Sequence, residues 1–289
     1  MDFQDNKRAI VAMLVANGAF IINDAFVKIV AAALPLGQII FLRGLVTIVL
    51  LSAVCAVTGV FANWRRLSHP KVLIRSLAEV VATLLYLKAL MHVPIANATA
   101  ILQALPLIVT AAAAVFLGAP VGWRRWCAVG VGLVGVLCIV RPGFEGFDAW
   151  ALVALAGVFA MALRDLMTRQ MPAEIPTFGV GLVTAVGVTI MGSGLMASEG
   201  WQPLALTDFL WVCSAAGFVL FGYVFIILAM RSGDISVVAP FRYSMVIWAL
   251  GLGFVIWGEV PDFMTVVGTL IVISTGLYTF LRERRLSSA

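Results

Sequence analysis

The chain has 289 residues, of which 63% are hydrophobic and only 11% are charged, whereas about 25% of residues are charged in an average soluble protein. Because a water-soluble domain of this size could not bury so much apolar surface, the composition predicts an integral membrane protein and excludes a disordered chain or a secreted disulfide scaffold. The net charge of +5 is spread over short loops, which favours a role in membrane topology over nucleic-acid binding.

Ten mostly apolar segments follow one another along the chain, each near the length of about 20 residues that a membrane-spanning helix needs. The predicted helices, numbered 1 to 10, are residues 9–33, 36–58, 72–93, 95–117, 123–140, 148–168, 175–197, 206–230, 235–257 and 262–281. The loops are short, and the apolar runs are continuous rather than alternating as in a β-barrel. The sequence therefore predicts an all-α membrane protein with ten transmembrane helices and no inserted soluble domain.

Lysine and arginine residues in the predicted loops lie almost entirely on one side of the membrane. Those on this side are Lys7, Arg8, Arg65, Arg66, Lys71, Arg124, Arg125, Arg169, Arg231, Arg282, Arg284 and Arg285. Only Arg141 lies on the other side. The positive-inside rule therefore predicts a multi-pass protein of the cell inner (plasma) membrane with both termini in the cytoplasm.

The two halves of the chain resemble each other at an offset near 140 residues. Gly118 matches Gly258, and Lys28 matches Arg169. Each half holds five predicted helices, and an odd number makes the second half enter the membrane from the opposite side. The sequence therefore predicts two five-helix inverted-topology repeats, residues 1–143 and 144–289, an arrangement typical of secondary transporters.

Several short motifs occur along the chain, six in the first half and two in the second. They are Phe41-Leu-Arg43-Gly-Leu, Tyr86-Leu-Lys-Ala-Leu90, Val93-Pro94-Ile-Ala-Asn-Ala-Thr-Ala, Leu105-Pro106, Phe116-Leu-Gly118, Val140-Arg141-Pro142-Gly143, Trp257-Gly258-Glu259 and Gly268-Thr-Leu-Ile271. In these motifs the chain resembles the EamA-type branch of the drug/metabolite transporter superfamily, ten-helix carriers, over nearly its whole length. The resemblance implies a transporter, and the family includes amino-acid exporters of the YddG type and uptake carriers for S-adenosylmethionine. One departure is Ala119, which stands where the family usually has an acidic residue; Glu259 keeps that acid in the second half.

Charged residues inside apolar helices are costly and usually mark a functional site. Six such residues are Asp24, Lys28, Arg43, Glu79, Lys88 and Arg242. Arg43 and Lys88 lie near the outer interface, where snorkelling of the long side chain is the alternative to a functional role.

Two ion pairs are predicted among these charges. Asp24 and Lys28 are four residues apart in helix 1, so they can pair across one turn. Glu79 and Arg242 each lie about seven residues from the inner end of a helix, a rise of roughly 10 Å, and we expect them to meet in a state closed to the cytoplasm.

Polar residues at helical spacing are predicted to face a water-accessible cavity, with interhelical hydrogen bonds as the alternative for serine and threonine. Helices 4 and 9 each contain a proline, Pro106 and Pro240, which is expected to kink the helix. Ser236 also lies on the polar stripe of helix 9. The residues predicted to bind substrate or to gate are Asn17, Asp24, Lys28, Arg43, Glu79, Tyr86, Lys88, Gln103, Arg242, Tyr243 and Trp248.

Metal, cofactor and catalytic sites are not expected. The two histidines, His69 and His92, are far apart, and the four cysteines are interpreted as small buried hydrophobic residues. The sequence Gly130-Val-Gly132-Leu-Val-Gly135 matches a dinucleotide-binding motif, but it lies inside an apolar helix with no preceding strand, so it predicts close helix packing. No Walker A sequence is present, and no catalytic set can be assembled, so the chain is not expected to be an enzyme.

The sequence therefore predicts a secondary transporter that moves small metabolites, amino acids above all and aromatic ones among them, by alternating access in the direction of export. The excess of cations among the six charges suits a carboxylate, and Asp24 or Glu79 could meet an amino group. Alternatives are an uptake carrier for S-adenosylmethionine or a carboxylate, and a channel. The expected partners are a small-molecule substrate and the lipid bilayer but no nucleic acid, and the expected state is a monomer or a homodimer.

Overall fold

The computed structural model describes residues 3–118, 122–140, 148–172, 174–232 and 238–287, and every regular element in these ranges is a helix. The α-helices are α1 (Phe3–Val30), α2 (Leu36–Val57), α3 (Pro70–Leu90), α4 (Ile95–Leu102), α5 (Leu105–Leu117), α6 (Trp123–Val140), α7 (Ala149–Arg169), α8 (Thr177–Glu199), α9 (Leu206–Ser232), α10 (Ser244–Trp257) and α11 (Phe263–Ser287). Two 3₁₀ helices span Val60–Ser68 and Ala239–Tyr243. The predicted all-α fold class is confirmed, while Ala119, Arg141 and Ser236 lie outside the described residues.

Within the described ranges, ten helical segments result when a helix interrupted for a turn is counted once and the 3₁₀ helix Val60–Ser68 between α2 and α3 is left out. Helix α5 follows α4 after only Gln103 and Ala104, and α10 follows directly on the 3₁₀ helix Ala239–Tyr243. These segments correspond in order to the ten predicted helices.

Six of the described helices are long and apolar enough to cross a membrane. They are Asn6–Val30, Leu36–Val57, Ile95–Leu117, Ala149–Arg169, Thr177–Glu199 and Leu206–Ile226, and shorter apolar helices span Trp126–Val140, Phe241–Trp257 and Phe263–Thr279. Helix α3 carries four charged side chains in its 21 residues, namely Lys71, Arg75, Glu79 and Lys88. Because charge in lipid is costly, α3 depends on neighbouring helices to shield these groups. The protein is a multi-pass membrane protein.

The four most extensive helix packings all join the first half of the chain to the second. Helix α1 packs against α9, α2 against α8, α3 against α7, and α6 against α11. The largest buried apolar cluster accordingly takes side chains from both halves, including Ile21, Ile40, Leu90, Val188 and Ala249. The space between the halves is therefore where polar side chains from the two halves can meet.

Glycines allow the closest helix approaches. A Cβ atom on Gly192 of α8 would lie only 2.7 Å from the backbone nitrogen of Phe41 in α2. A Cβ atom on Gly135 of α6 would lie 2.9 Å from the carbonyl oxygen of Gly268 in α11. Close packing is therefore confirmed for Gly132 and Gly135 of the GxGxxG sequence, since small residues let helices approach in a membrane, whereas a Cβ atom on Gly130 would have no neighbour within 4 Å.

Both proline-containing helices are interrupted, as predicted. Pro106 lacks the N–H that would bond to the carbonyl of Leu102, and α4 ends at Leu102. Pro240 lies in the 3₁₀ helix that precedes α10. Each interrupted helix then ends on a left-handed glycine, Gly118 with φ 63° after α5 and Gly258 with φ 65° after α10. The two glycines are 140 residues apart, as in the predicted repeat, and the two prolines are 134 residues apart.

Candidate functional site

A partly buried ion pair joins the two halves. Arg164 Nη1 of α7 lies 2.8 Å from Glu79 Oε2 of α3, and Arg164 Nε donates to Asp165 Oδ1 at 2.8 Å. The predicted partner of Glu79 was Arg242, which is instead exposed on the 3₁₀ helix Ala239–Tyr243. In this structure Glu79 and Arg242 are therefore apart, and Glu79 bonds to Arg164 because α7 packs directly against α3. The expected Glu79–Arg242 pair belongs to a state closed to the cytoplasm and stays a prediction.

Asp24 forms the centre of a second polar network that links α1, α2 and α3. Its carboxylate accepts hydrogen bonds from the Tyr86 hydroxyl at 2.8 Å and from Asn23 Nδ2 at 2.8 Å. Arg43 Nη1 donates to Asn23 Oδ1 at 3.4 Å. Asp24 is only 8% exposed, so these bonds replace the water that a buried carboxylate loses. Arg43 also lies within electrostatic range of Asp24 and Glu79, which connects the two networks.

Lys28 does not pair with Asp24 in this structure, so that predicted pair is wrong. Lys28 Nζ lies 2.8 Å from Glu259 Oε1 and 2.8 Å from the carbonyl oxygen of Val93, and it stands 5.1 Å from the ring centre of Trp257. The spacing of four residues permits a pair within α1. The lysine is in the last turn of α1, however, and its long side chain extends past the helix end to an acid on another segment.

Asn17 bridges α1 to the interrupted helix that contains α10. Its Nδ2 donates to the carbonyl oxygens of Phe241 at 2.9 Å and Arg242 at 3.2 Å, and to Ser244 Oγ at 2.9 Å. A helix interruption leaves backbone carbonyls without their usual partners. The amide of Asn17 therefore stabilises the interruption.

The remaining predicted site residues are distributed around these networks. Gln103 lies at the interruption between α4 and α5, and its buried Nε2 finds no hydrogen-bond partner within the described part of the chain. The Tyr243 hydroxyl contacts Gly276 of α11, and the Trp248 indole lies against Gly18 of α1. Lys88 lies in the last turn of α3, away from the central networks.

Three residues of the central region were missed by sequence reasoning: Arg164, Asp165 and Tyr223. Arg164 and Asp165 lie within a turn of the predicted end of helix 6, where charge is ordinary, so their only signal was a charged pair next to an apolar run. Tyr223 lies in the middle of α9 and is 47% exposed, yet it is within electrostatic range of Arg43, Glu79 and Arg164 on three other helices. Its ring therefore belongs to the region where charged groups from α2, α3 and α7 approach one another.

We define the central charged cluster as the charged side chains on α1, α2, α3 and α7 that lie within electrostatic range of one another or of Tyr223. Its members are Asp24, Arg43, Arg75, Glu79, Arg164 and Asp165. Three are cationic and three are anionic, which corrects the predicted excess of cations: Lys28 is neutralised by Glu259, and Lys88 and Arg242 lie elsewhere. Within the described ranges, no three His, Cys, Asp or Glu side chains are arranged to hold a metal ion. The cluster can offer hydrogen-bonded contacts of both signs to a small polar molecule.

Comparison with protein families gives a match in each half of the chain. The model of the EamA-like transporter family matches residues 7–141 and again residues 148–281. A solved crystal structure aligns with a TM-score of 0.65 at 18% identity, covering 96% of this chain and 98% of that one, which shows the shared fold.

Similar proteins of known function are transporters. The chain is 27% identical to the pseudopaline exporter CntI of Pseudomonas aeruginosa (strain UCBPP-PA14), over 92% of this chain and 94% of the relative. It is 24% identical to the S-adenosylmethionine uptake transporter of Rickettsia prowazekii (strain Madrid E), over 93% and 90%, and 25% identical to the riboflavin transporter of Vibrio cholerae, over 90% and 89%. The resemblance stated from the motifs is thus confirmed. The chain belongs to the EamA-like transporter family, and it is a small-molecule transporter rather than an enzyme.

Proposed function

We propose that this protein is a secondary transporter that exports zwitterionic metabolites, amino acids above all, across the inner membrane by alternating access. The observation that carries the proposal is the central charged cluster. Intramembrane charges are expensive to maintain and are found where substrate or coupling ions pass. Equal numbers of cationic and anionic groups around one space suit a substrate that itself carries one charge of each sign.

Arg43 is the group that we assign to the substrate carboxylate. A guanidinium has five N–H donors in a planar fork that fits a carboxylate in a bidentate manner. The bond from Arg43 to Asn23 uses one donor and is long, at 3.4 Å. The ammonium group is assigned to Asp24 or Glu79, the two carboxylates that lie within electrostatic range of Arg43.

Gln103 is the group that we assign to a second polar contact. Its buried Nε2 has no partner within the described residues, and leaving a buried donor unsatisfied costs about 1–3 kcal/mol. Thr99, one helical turn earlier on the same face, lies close to the Tyr86 hydroxyl. A polar substrate or a bound water that reaches from Tyr86 towards Gln103 would remove this cost.

The helix pairings support the proposed repeat, residues 1–143 and 144–289, with inverted topology. Exchanging the halves turns the α1–α9 pair into the α7–α3 pair and leaves the α2–α8 and α6–α11 pairs unchanged. A two-fold axis in the membrane plane produces this pattern. The matching interruptions of the two proline-containing helices have the same origin. Both termini then lie in the cytoplasm, where the positive-inside rule puts the basic loops.

In this topology one side of the molecule faces outwards, and hydrogen bonds hold the two halves together on that side. Gln38 and Gln202 exchange two bonds of 2.9 Å through side chain and backbone, and Glu199 Oε2 accepts from the backbone N–H of Gly37 at 2.7 Å. Together with the Lys28–Glu259 pair, these contacts must break when the site opens outwards. Substrate would enter from the cytoplasm while they are formed.

A substrate series that removes one charge at a time tests the proposal. Purified protein is first screened by thermal shift against amino acids, nucleotides and carboxylates. Counterflow into proteoliposomes then compares phenylalanine with its amide, which lacks the carboxylate, and with N-acetylphenylalanine, which lacks the ammonium group. We expect saturable counterflow for the amino acid and at least about tenfold less for each blocked form, since each loses one charge-assisted contact. Equal transport of all three compounds, or stabilisation by carboxylates or nucleotides alone, would contradict a zwitterion site.

A matched pair of variants separates the site from general charge effects. Arg43→Gln removes the proposed carboxylate ligand, whereas Arg124→Gln removes a cation that stands over the Trp123 ring at the start of α6. We expect loss of counterflow in the first variant alone. The direction of transport is then measured in right-side-out and in inside-out vesicles. Uptake into right-side-out vesicles without efflux from them would favour the alternative, an uptake carrier. Flux without saturation or counterflow would indicate a channel.

A further inference from the structure

A cavity of about 490 Å³ lies between the loops of the two halves, away from the central charged cluster. We call it the loop cavity. Its lining includes Arg65, Arg66, Ser68 and His69 of the first half and Pro172 and Glu174 of the second. In the topology proposed above, it opens on the cytoplasmic side of the membrane.

The first wall of the loop cavity is the 3₁₀ helix Val60–Ser68, which lies along α8. A Cβ atom on Gly179 would stand 2.6 Å from Leu67 Cδ2 and 2.9 Å from Val60 Cγ1. The missing side chain at Gly179 thus lets the apolar face of the 3₁₀ helix pack closely against α8. The opposite face presents Trp64, which is 60% exposed. Exposed tryptophan at the end of membrane helices is typical of the headgroup layer.

The cations around the loop cavity bond to neutral groups. Arg66 Nη1 donates to the carbonyl oxygen of Glu174 at 3.3 Å, and Lys71 Nζ donates to the carbonyl oxygen of Gln170 at 2.9 Å. Arg65 stands 6.0 Å from the ring centre of Trp64. None of these contacts neutralises a positive charge. Glu174 is the one carboxylate among the lining residues that the structure describes, so the cavity carries excess positive charge.

His69 adds a neutral donor to this wall. Its Nδ1 accepts a hydrogen bond from the backbone N–H of Lys71 at 3.2 Å. In the neutral ring the proton must then be on Nε2, which makes Nε2 a donor. The cavity therefore combines two guanidinium groups with a hydroxyl and an imidazole N–H, the donor set that a phosphate group accepts from.

We propose that the loop cavity binds a phosphate group, and that its source is the headgroup of an anionic lipid in the adjacent leaflet. The volume is within the range of about 300–1,000 Å³ for small-ligand pockets. The exposed ring of Trp64 sets the cavity at headgroup depth, which favours a lipid phosphate over a soluble one. A bound phosphate links the 3₁₀ helix of the first half to the segment of the second half that carries Pro172 and Glu174. Anionic lipid would thereby hold the two halves together on this side.

Binding of short-chain lipids to the purified full-length protein tests this site. The probes are dioctanoyl phosphatidylglycerol, dioctanoyl phosphatidylcholine and inorganic phosphate, followed by native mass spectrometry and thermal shift. The double change Arg65→Ala with Arg66→Ala should weaken binding of the anionic lipid by about 30-fold, the equivalent of about 1 kcal/mol for each arginine near the surface. Arg124→Ala is the matched control, because it also removes an arginine next to an exposed tryptophan.

The outcomes separate the possible sources. Preferential binding of phosphatidylglycerol that the double variant loses and the control keeps would support the proposal. Equal binding of phosphatidylcholine, or an equal loss in Arg124→Ala, would overturn it, and binding of inorganic phosphate without lipid would overturn the lipid source. Should the alanine variant fail to fold, Arg65→Lys with Arg66→Lys keeps the charge but removes the planar fork. We expect it to bind the anionic lipid more weakly than the wild type, and unchanged affinity would refute the arginine contacts.

Discussion

The Lys28–Glu259 pair offers a direct test of the contacts between the halves. Glu259 accepts from Lys28 Nζ at 2.8 Å and, through its second oxygen, from the backbone N–H of Ile95 at 2.9 Å. The lysine and glutamate side chains are only 13% and 17% exposed. Glu259→Gln would leave the lysine charge without its counter-ion and present an amide group to Ile95. We expect it to lower the free energy of unfolding by about 3 kcal/mol, the lower end of the cost of breaking a buried pair.

A double-mutant cycle isolates the interaction from other effects of the substitutions. Lys28→Met combined with Glu259→Gln removes the unpaired charge, so the double variant should be more stable than the sum of the single changes predicts, by about 2 kcal/mol. The matched control is the cycle of Lys28→Met with Asp24→Asn. Its coupling should be much smaller, because Asp24 bonds to Tyr86 and not to Lys28.

Reversible unfolding in mixed detergent and SDS micelles measures both cycles, and counterflow in proteoliposomes reports the effect on transport. Because the pair spans the two halves, Glu259→Gln should also change the transport rate. A Glu259→Gln protein within about 0.5 kcal/mol of the wild type, the range of ordinary surface substitutions, would refute the assignment. A coupling between Lys28 and Asp24 as large as that between Lys28 and Glu259 would refute it too.

Three further predictions concern packing and the polar networks. Gly192→Ala should lower the free energy of unfolding by about 2 kcal/mol, because its Cβ would meet a backbone atom of α2. The control Gly194→Ala has nothing within 4 Å of its Cβ and should be neutral or slightly stabilising. Equal melting temperatures of the two variants would contradict the α2–α8 packing. Asn17→Ala should cost about 2 kcal/mol because it removes the amide that bonds the interrupted helix, and an unchanged thermal unfolding curve would argue against that role. Tyr86→Phe removes the hydroxyl that donates to Asp24. It should slow counterflow by about tenfold, as expected when a charge-assisted hydrogen bond worth about 1.5 kcal/mol is lost. An unchanged rate would exclude the Tyr86–Asp24 bond from the transport cycle.

The sequence by itself determined the membrane character, the helix order and the two interrupted helices. These properties depend on local chemistry: about 20 apolar residues span a bilayer wherever they occur, and a proline removes the same backbone bond in any helix. Pro106 and Pro240 could therefore be interpreted without knowing any neighbour. Gly135 was also interpreted correctly from its place in an apolar helix, but Gly130 of the same motif has no neighbour within 4 Å, so the neighbouring helix decides which glycines pack closely.

Only the tertiary structure decided which charges meet. Helical periodicity tells which residues of one helix share a face, but the partner depends on which helix packs there and at what depth. Glu79 therefore pairs with Arg164 rather than Arg242, because α7 is the neighbour of α3. Lys28 reaches Glu259 because its flexible side chain extends beyond the end of α1 to a segment 231 residues away in sequence. Contacts between distant segments are set by packing, and no local pattern in a single sequence records them.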